Sequence, residues 1–196
     1  MTVRSVRWSG ILVLGWLLVV AGCSQPSSDE SVGQLPPVAF ESGDECHVCG
    51  MVIAGFPGPK GEVLGGNAPV RKFCSTRDLF SWLLQPEQQH RDYTVYVHDM
   101  AQTDWQRPDD AALVDARLAY YVVGSERAGA MGPTLASFAS ESLARQFMAN
   151  YGGRLLRYEE ITLAVLQSMT DIGTEEVSGH ATMGHMPAHG SADSSE

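Results

Sequence analysis

Basic charge is scarce in this chain. Its 196 residues carry 13 Lys plus Arg against 23 Asp plus Glu, a formal net charge of -10, which excludes nucleic acid as a partner on bulk electrostatics. Lysine occurs only at Lys60 and Lys72. Cysteine is scarce too, and four residues are too few for a disulfide scaffold. The apolar run Ile11 to Val20, broken by Gly15, is too short to span a bilayer. What is present is 44% hydrophobic and only 18% charged. That suffices for one domain or two small subdomains and argues against a chain disordered throughout.

Residues 1–22 read as a lipoprotein signal peptide. Arg4 and Arg7 precede the apolar run, and Val20-Ala21-Gly22-Cys23 follows it. This resembles a bacterial lipobox, in which cleavage before Cys23 leaves its thiol to carry a diacylglycerol. Acyl chains hold a protein by burying methylenes at roughly 0.8 kcal/mol each, so the product is tethered rather than spanning. By resemblance to other lipoproteins, Ser24 rather than Asp after the anchor favours sorting to the outer membrane of a Gram-negative cell. Residues 23–45, the lipidated Cys and a stretch rich in Ser, Gln, Pro and acidic side chains, read as a flexible tether. Residues 167–196 contain no Lys or Arg and read as an acidic, disordered tail.

Between them, residues 46–166 carry an α+β pattern in two halves, about 46–105 and 112–166. In the first, Ser75 with Asp78 fits a capping box ahead of Leu79, Phe80, Leu83 and Leu84, and Tyr93 to His98 then alternates as a strand. In the second, Ser140 precedes Leu143, Phe147 and Tyr151 at helical spacing, Gly152-Gly153 stops the run, and Arg154 to Tyr158 follows. Extended pieces precede each helix: Met51 to Ala54 and Val70 to Phe73, then Leu118 to Gly124 and Pro133 to Phe138. The expected unit is strand-strand-helix-strand, present twice.

The chemistry begins at Cys46-His47-Val48-Cys49-Gly50-Met51. Two thiols three positions apart form a reactive dithiol, a local disulfide or a metal pair, and Gly50 lets the backbone turn so that Met51 faces the same point. Thiolate with thioether selects Cu(I), whereas Zn(II) wants four Cys or His ligands and the chain has no second C-x-x-C.

These residues, with Phe73-x-Ser75, Val97-x-Asp99, Ala119 to Ser125, Ala130-Met131-Gly132 and Tyr151-Gly152-Gly153, resemble the NosL family, copper-binding accessory lipoproteins of nitrous oxide reductase. The resemblance implies two related βαβ-type halves similar to the small domains of alkylmercury lyase. It implies a periplasmic Cu(I) carrier, not an enzyme, that supplies nitrous oxide reductase and works with its membrane assembly machinery. It places the metal on Cys49 and Met51, with Cys46 beside them, and on Met131. The family commonly has Pro-Met-Gly where this chain has Ala130-Met131-Gly132, and the small neighbours favour an accessible thioether.

His47, inside the dithiol loop, and Cys74, just before a helix cap, are auxiliary candidates; His90 and His98 are weaker ones, and Asp99 suits a turn cap. In the tail, His180, Met183, His185, Met186 and His189 are donors spaced to wrap copper as a collecting segment. Ordering that segment costs roughly 1 to 2 kcal/mol per residue, so it binds less tightly than a preformed site. The sequence leaves open a homodimer around a shared ion. Two other classes stand as alternatives: a thiol-disulfide oxidoreductase using Cys46 and Cys49, and a zinc- or mercury-binding protein.

Overall fold

The structure is a computed structural model that describes residues 35–65 and 68–169. The signal peptide, Cys23 and the tail candidates His180, Met183, His185, Met186 and His189 lie outside the described residues. Among the described residues no helix is long and apolar enough to cross a membrane.

The elements follow in the order β1 (Gly61–Leu64), β2 (Arg71–Phe73), α1 (Thr76–Leu83), β3 (Thr94–His98), β4 (Leu113–Asp115), β5 (Tyr120–Val123), β6 (Ala128–Gly129), β7 (Gly132–Pro133), β8 (Ala136–Phe138), α2 (Glu141–Tyr151) and β9 (Arg154–Arg157). One antiparallel sheet has the order β2-β1-β3-β4 and the other β8-β5-β9; β6 and β7 form a separate hairpin. In each sheet the first strand of a strand-strand-helix-strand run is central, flanked by the strand before the helix and the strand after it. The mixed helix and sheet class is as expected.

One element is displaced from its expected place. The opening strand of the first run is not Met51 to Ala54 but β1, ten residues further on. Val52 makes only an isolated bridge to Glu45. All four β1 residues are buried, including Glu62, so the strand shows no alternation of polar and apolar residues to read. Strand β4 pairs with β3 through short, half-buried residues and carries no sequence signal of its own.

Both helices start where expected. Ser75 Oγ accepts from the Asp78 backbone N–H at 3.1 Å, and α2 follows Ser140 and stops at Gly152. One core spans both sheets: Val63, Phe73, Leu79, Phe80, Val95 and Val97 meet Tyr121, Leu135 and Leu156, with Phe80 edge-on to Tyr121 at 5.2 Å. Residues 163–169 are helical and bury Leu166 and Met169 in the same core, so the packed part runs three residues past the expected boundary at 166.

The described part of the expected tether lies on the body. Tyr96 Oη donates to Leu35 O at 2.7 Å, Val38 N–H to Glu62 Oε1 at 2.8 Å and Phe40 N–H to Asp110 Oδ2 at 2.6 Å. Lys72 Nζ donates to Ala39 O and to Asp44 Oδ2. These bonds fix the approach of the chain to Glu45 and Cys46.

Candidate metal centre

The loop after this strap closes on itself: Cys46 N–H donates to Met51 O and Gly50 N–H to Cys46 O, both at 2.8 Å. Gly50 sits at φ 70°, a value that side chains with a Cβ rarely adopt, and it reverses the chain between Cys49 and Met51. The C-x-x-C thus lies in a turn rather than at the head of a helix. Cys74 arrives from the end of β2, and Asp78 from the first turn of α1.

The Sγ atoms of Cys46, Cys49 and Cys74 and a carboxylate oxygen of Asp78 all lie within 4.8 Å of one another. Cys49 Sγ is 3.7 Å from Cys74 Sγ, and Asp78 Oδ2 is 3.3 Å from Cys74 Sγ and 3.6 Å from Cys46 Sγ. All three cysteines are free thiols. Cys46 and Cys74 are buried at 2% and 0%, whereas Cys49 is exposed, so the cluster has one open side.

The thiols share protons unequally. A hydrogen bond from the Cys74 thiol holds Cys46 down to about 4, opposed by burial and assisted by backbone N–H groups. Cys74 is pushed far above the ordinary thiol range by that same hydrogen bond, by burial and by the charges of Cys46 and Asp78. Burial also raises the Asp78 carboxyl. The cluster therefore presents one thiolate at Cys46 beside a protonated Cys74, and an incoming cation must displace that proton. Beneath it, burial brings the Lys60 ammonium down to about 8, offset in part by the Cys74 sulfur.

Met51 and Met131 are 42% and 48% exposed. Met131 lies between β6 and β7, and its neighbour Ala130 packs against the buried cluster of Cys46, Ile53 and Cys74, so the turn of this hairpin lies beside the cysteine cluster. His47 goes elsewhere. Its ring lies edge-on to Phe73 at 5.9 Å and Trp82 at 5.6 Å, outside the four-residue cluster. His90 is exposed. Asp99 caps its turn, Oδ1 accepting from Ala101 N–H at 3.1 Å. His98 is 1% exposed, its Nδ1 accepting from Lys60 N–H at 3.1 Å, and with Phe40, Phe56, Lys60 and Asp110 it lines a cavity of about 360 Å³.

Sequence reasoning gave Asp78 only a capping role. The backbone part holds, but the carboxylate turns to the thiols instead of the Ser75 N–H. The available signal was the Cys74-x-x-x-Asp78 spacing across a helix start, which sets both on one face.

Chemically, three thiols and a carboxylate in a cluster open on one side suit a soft or borderline cation. Residues 37–166 match the NosL family model. The chain is 47% identical over 170 residues to the copper-binding lipoprotein NosL of Stutzerimonas stutzeri, covering 87% of this chain and 88% of that protein. It is 32% identical over 170 residues to the copper-binding lipoprotein NosL of Achromobacter cycloclastes, with 84% and 86% covered. The fold resembles the crystal structure of the copper chaperone NosL from Shewanella denitrificans at a TM-score of 0.64 and 51% identity, covering 66% of this chain and 97% of that one.

Proposed function

The chain belongs to the NosL family, and from that premise we propose that it is a lipid-anchored periplasmic carrier of Cu(I), held at the outer membrane through Cys23, that supplies copper for nitrous oxide reductase. Its relatives are named as copper-binding proteins and a chaperone rather than enzymes, and it breaks no substrate bond. The observation that carries this reading is the one-sided sulfur cluster, Cys49 exposed beside buried Cys46 and Cys74, with Ala130, the neighbour of Met131, packed against it.

Copper is the cargo, and the chain supplies the soft donors. Cys49, Met51 and Met131, with Cys46 beside them, hold Cu(I) where an acceptor can reach it. A donor from the recipient attaches from the open side before a resident ligand leaves, so transfer needs no unfolding. The strap at residues 35–44 keeps the loop fixed while this happens. The repeated strand order supports the expected kinship with the small domains of alkylmercury lyase as a proposal about fold.

One observation favours a second ion. Asp78 Oδ2 faces the two buried thiols, and two sulfurs with one oxygen make three of the four ligands of a tetrahedral Zn(II). On this reading the buried thiols and Asp78 hold a divalent ion, while Cys49 and the thioethers serve copper. The oxidoreductase alternative gains no comparable support, because the C-x-x-C lies in a turn and its low-pKa Cys46 is buried.

The test is made in cells lacking this protein, where nitrous oxide reductase is purified and its copper counted. The native gene restores copper content and activity, while Cys49→Ser and Met131→Leu copies restore less at equal protein level. Full restoration by Cys49→Ser refutes the proposal.

A further inference from the structure

The Cys46–Met51 loop and the Met131 hairpin both lie outside the two main sheets, and the turn Phe56–Gly58 touches both sides, Phe56 packing against the cluster of Cys46, Ile53 and Cys74. Gly58, at φ 77°, approaches the hairpin so closely that a Cβ built there would stand 3.0 Å from Gly129 Cα. Its N–H donates to Trp105 O at 2.7 Å, and Trp105 Nε1 donates to Ala128 O at 3.0 Å, so the backbone and side chain of one residue tie the turn to β6. Lys60 Nζ holds the turn from below through Phe56 O, Pro57 O at 3.3 Å and Gly58 O at 2.9 Å.

The hairpin is also held from its other side. A Cβ on Gly129 would stand 2.9 Å from Thr134 Cβ and 3.0 Å from its Cγ2. Thr134 Oγ1 is 3.0 Å from Thr76 Oγ1, and that hydroxyl donates to Leu135 O at 2.7 Å. Thr76 opens α1 two residues after Cys74, so the end of β2 that carries one thiol is fastened to the hairpin that carries Met131.

We propose that the close packing of Gly129 between Gly58 and Thr134 is a positioning seam for the copper site. It sets the reach of the Met131 thioether to Cys49 and Met51, and thereby the number of sulfurs the ion receives. Gly129 is a positioning residue in this scheme: it touches no metal and acts through Met131. Ligand distances in metal sites hold to about 0.2 Å, while a side chain at Gly129 forces at least several tenths of an ångström of movement against Thr134. The inference rests on the reading of Met131 as a copper ligand.

The experiment compares the full-length reduced protein with Gly129→Ala, Met131→Leu, the two combined, and Thr134→Val. Cu(I) affinity is measured against a competing chelator, the sulfur count by X-ray absorption, and Co(II) binding by its thiolate charge-transfer band. Gly129→Ala is expected to weaken Cu(I) by roughly tenfold, as loss of a supporting contact does at other metal sites. It removes one sulfur from the shell and leaves the Co(II) band of the buried thiols unchanged, which a general loss of structure would not do. In the Met131→Leu background it costs nothing further. Thr134→Val loses only the hydroxyl contact with Thr76 and shifts Cu(I) affinity the same way by a smaller factor, which keeps the test alive if the alanine variant does not fold. Wild-type Cu(I) affinity in a folded Gly129→Ala or in Thr134→Val, or a full further loss in the double variant, overturns the seam. If Met131→Leu itself binds like wild type, the copper reading of Met131 fails and the seam with it; if Met131→Leu weakens binding and Gly129→Ala does not, the seam alone fails.

Discussion

His98 gives the sharpest stability prediction. Burial lowers its imidazole to about 4, against an opposing attraction from Asp110, and Lys60 adds to the lowering. Because Nδ1 accepts from Lys60 N–H, the neutral ring carries its proton on Nε2, 3.5 Å from Asp110 Oδ1. A base whose folded value lies below its unfolded value of 6.5 adds stability above pH 6.5, and that stability is lost as pH falls towards about 4. At 1.36 kcal/mol per pH unit of difference, the loss across this window is about 3 kcal/mol. His98→Asn keeps an acceptor near Nδ1 and removes the titrating group. Urea midpoints converted to free energies at pH 7, 6, 5 and 4 should show wild type losing about 3 kcal/mol more than the variant over the window. Burial raises the carboxyls of Glu62 and Asp78, which contribute with the opposite sign, but both are present in each protein and cancel in the difference. Parallel pH profiles would refute the assignment of a buried neutral His98.

Three further outcomes follow from the sulfur cluster. Asp78→Asn should weaken Zn(II) or Co(II) by roughly 10- to 100-fold while changing Cu(I) affinity by less, read in paired titrations; equal losses for both ions would argue against separate roles. Cu(I) or Co(II) uptake that engages Cys74 should strengthen as pH rises from 6 to 8, because Cys74 is held protonated and its proton must leave; Cys74→Ser should flatten that slope. Met51→Leu should preserve thermal stability to within about 0.5 kcal/mol, since the side chain is 42% exposed, yet remove a sulfur from the Cu(I) shell by X-ray absorption.

Several parts of this molecule could be read locally. Ser75, Ser140 and Gly152 mark helix ends through their own backbone chemistry, and β3 announces itself by alternation. The loop from Cys46 to Met51 was legible because its donors are adjacent in sequence. What escaped depended on distant partners. Glu62 makes β1 look like a loop, yet it is buried because it receives the Val38 N–H. Residues 35–44 have the composition of a tether, and Glu62, Lys72, Thr94, Tyr96 and Asp110, all remote in the chain, convert them into a docked strap. Asp78 had a sufficient local role as a cap, which concealed its carboxylate's place among the thiols.

The measurement that bears most directly on the central claim is retention of Cu(I) by the reduced full-length protein during anaerobic equilibration with chelators of graded strength. The account predicts a tight site with a sulfur-dominated shell that survives excess weak chelator and is lost in Cys49→Ser. Copper stripped by the weakest chelator, or held equally well without the Cys49 thiol, would contradict it.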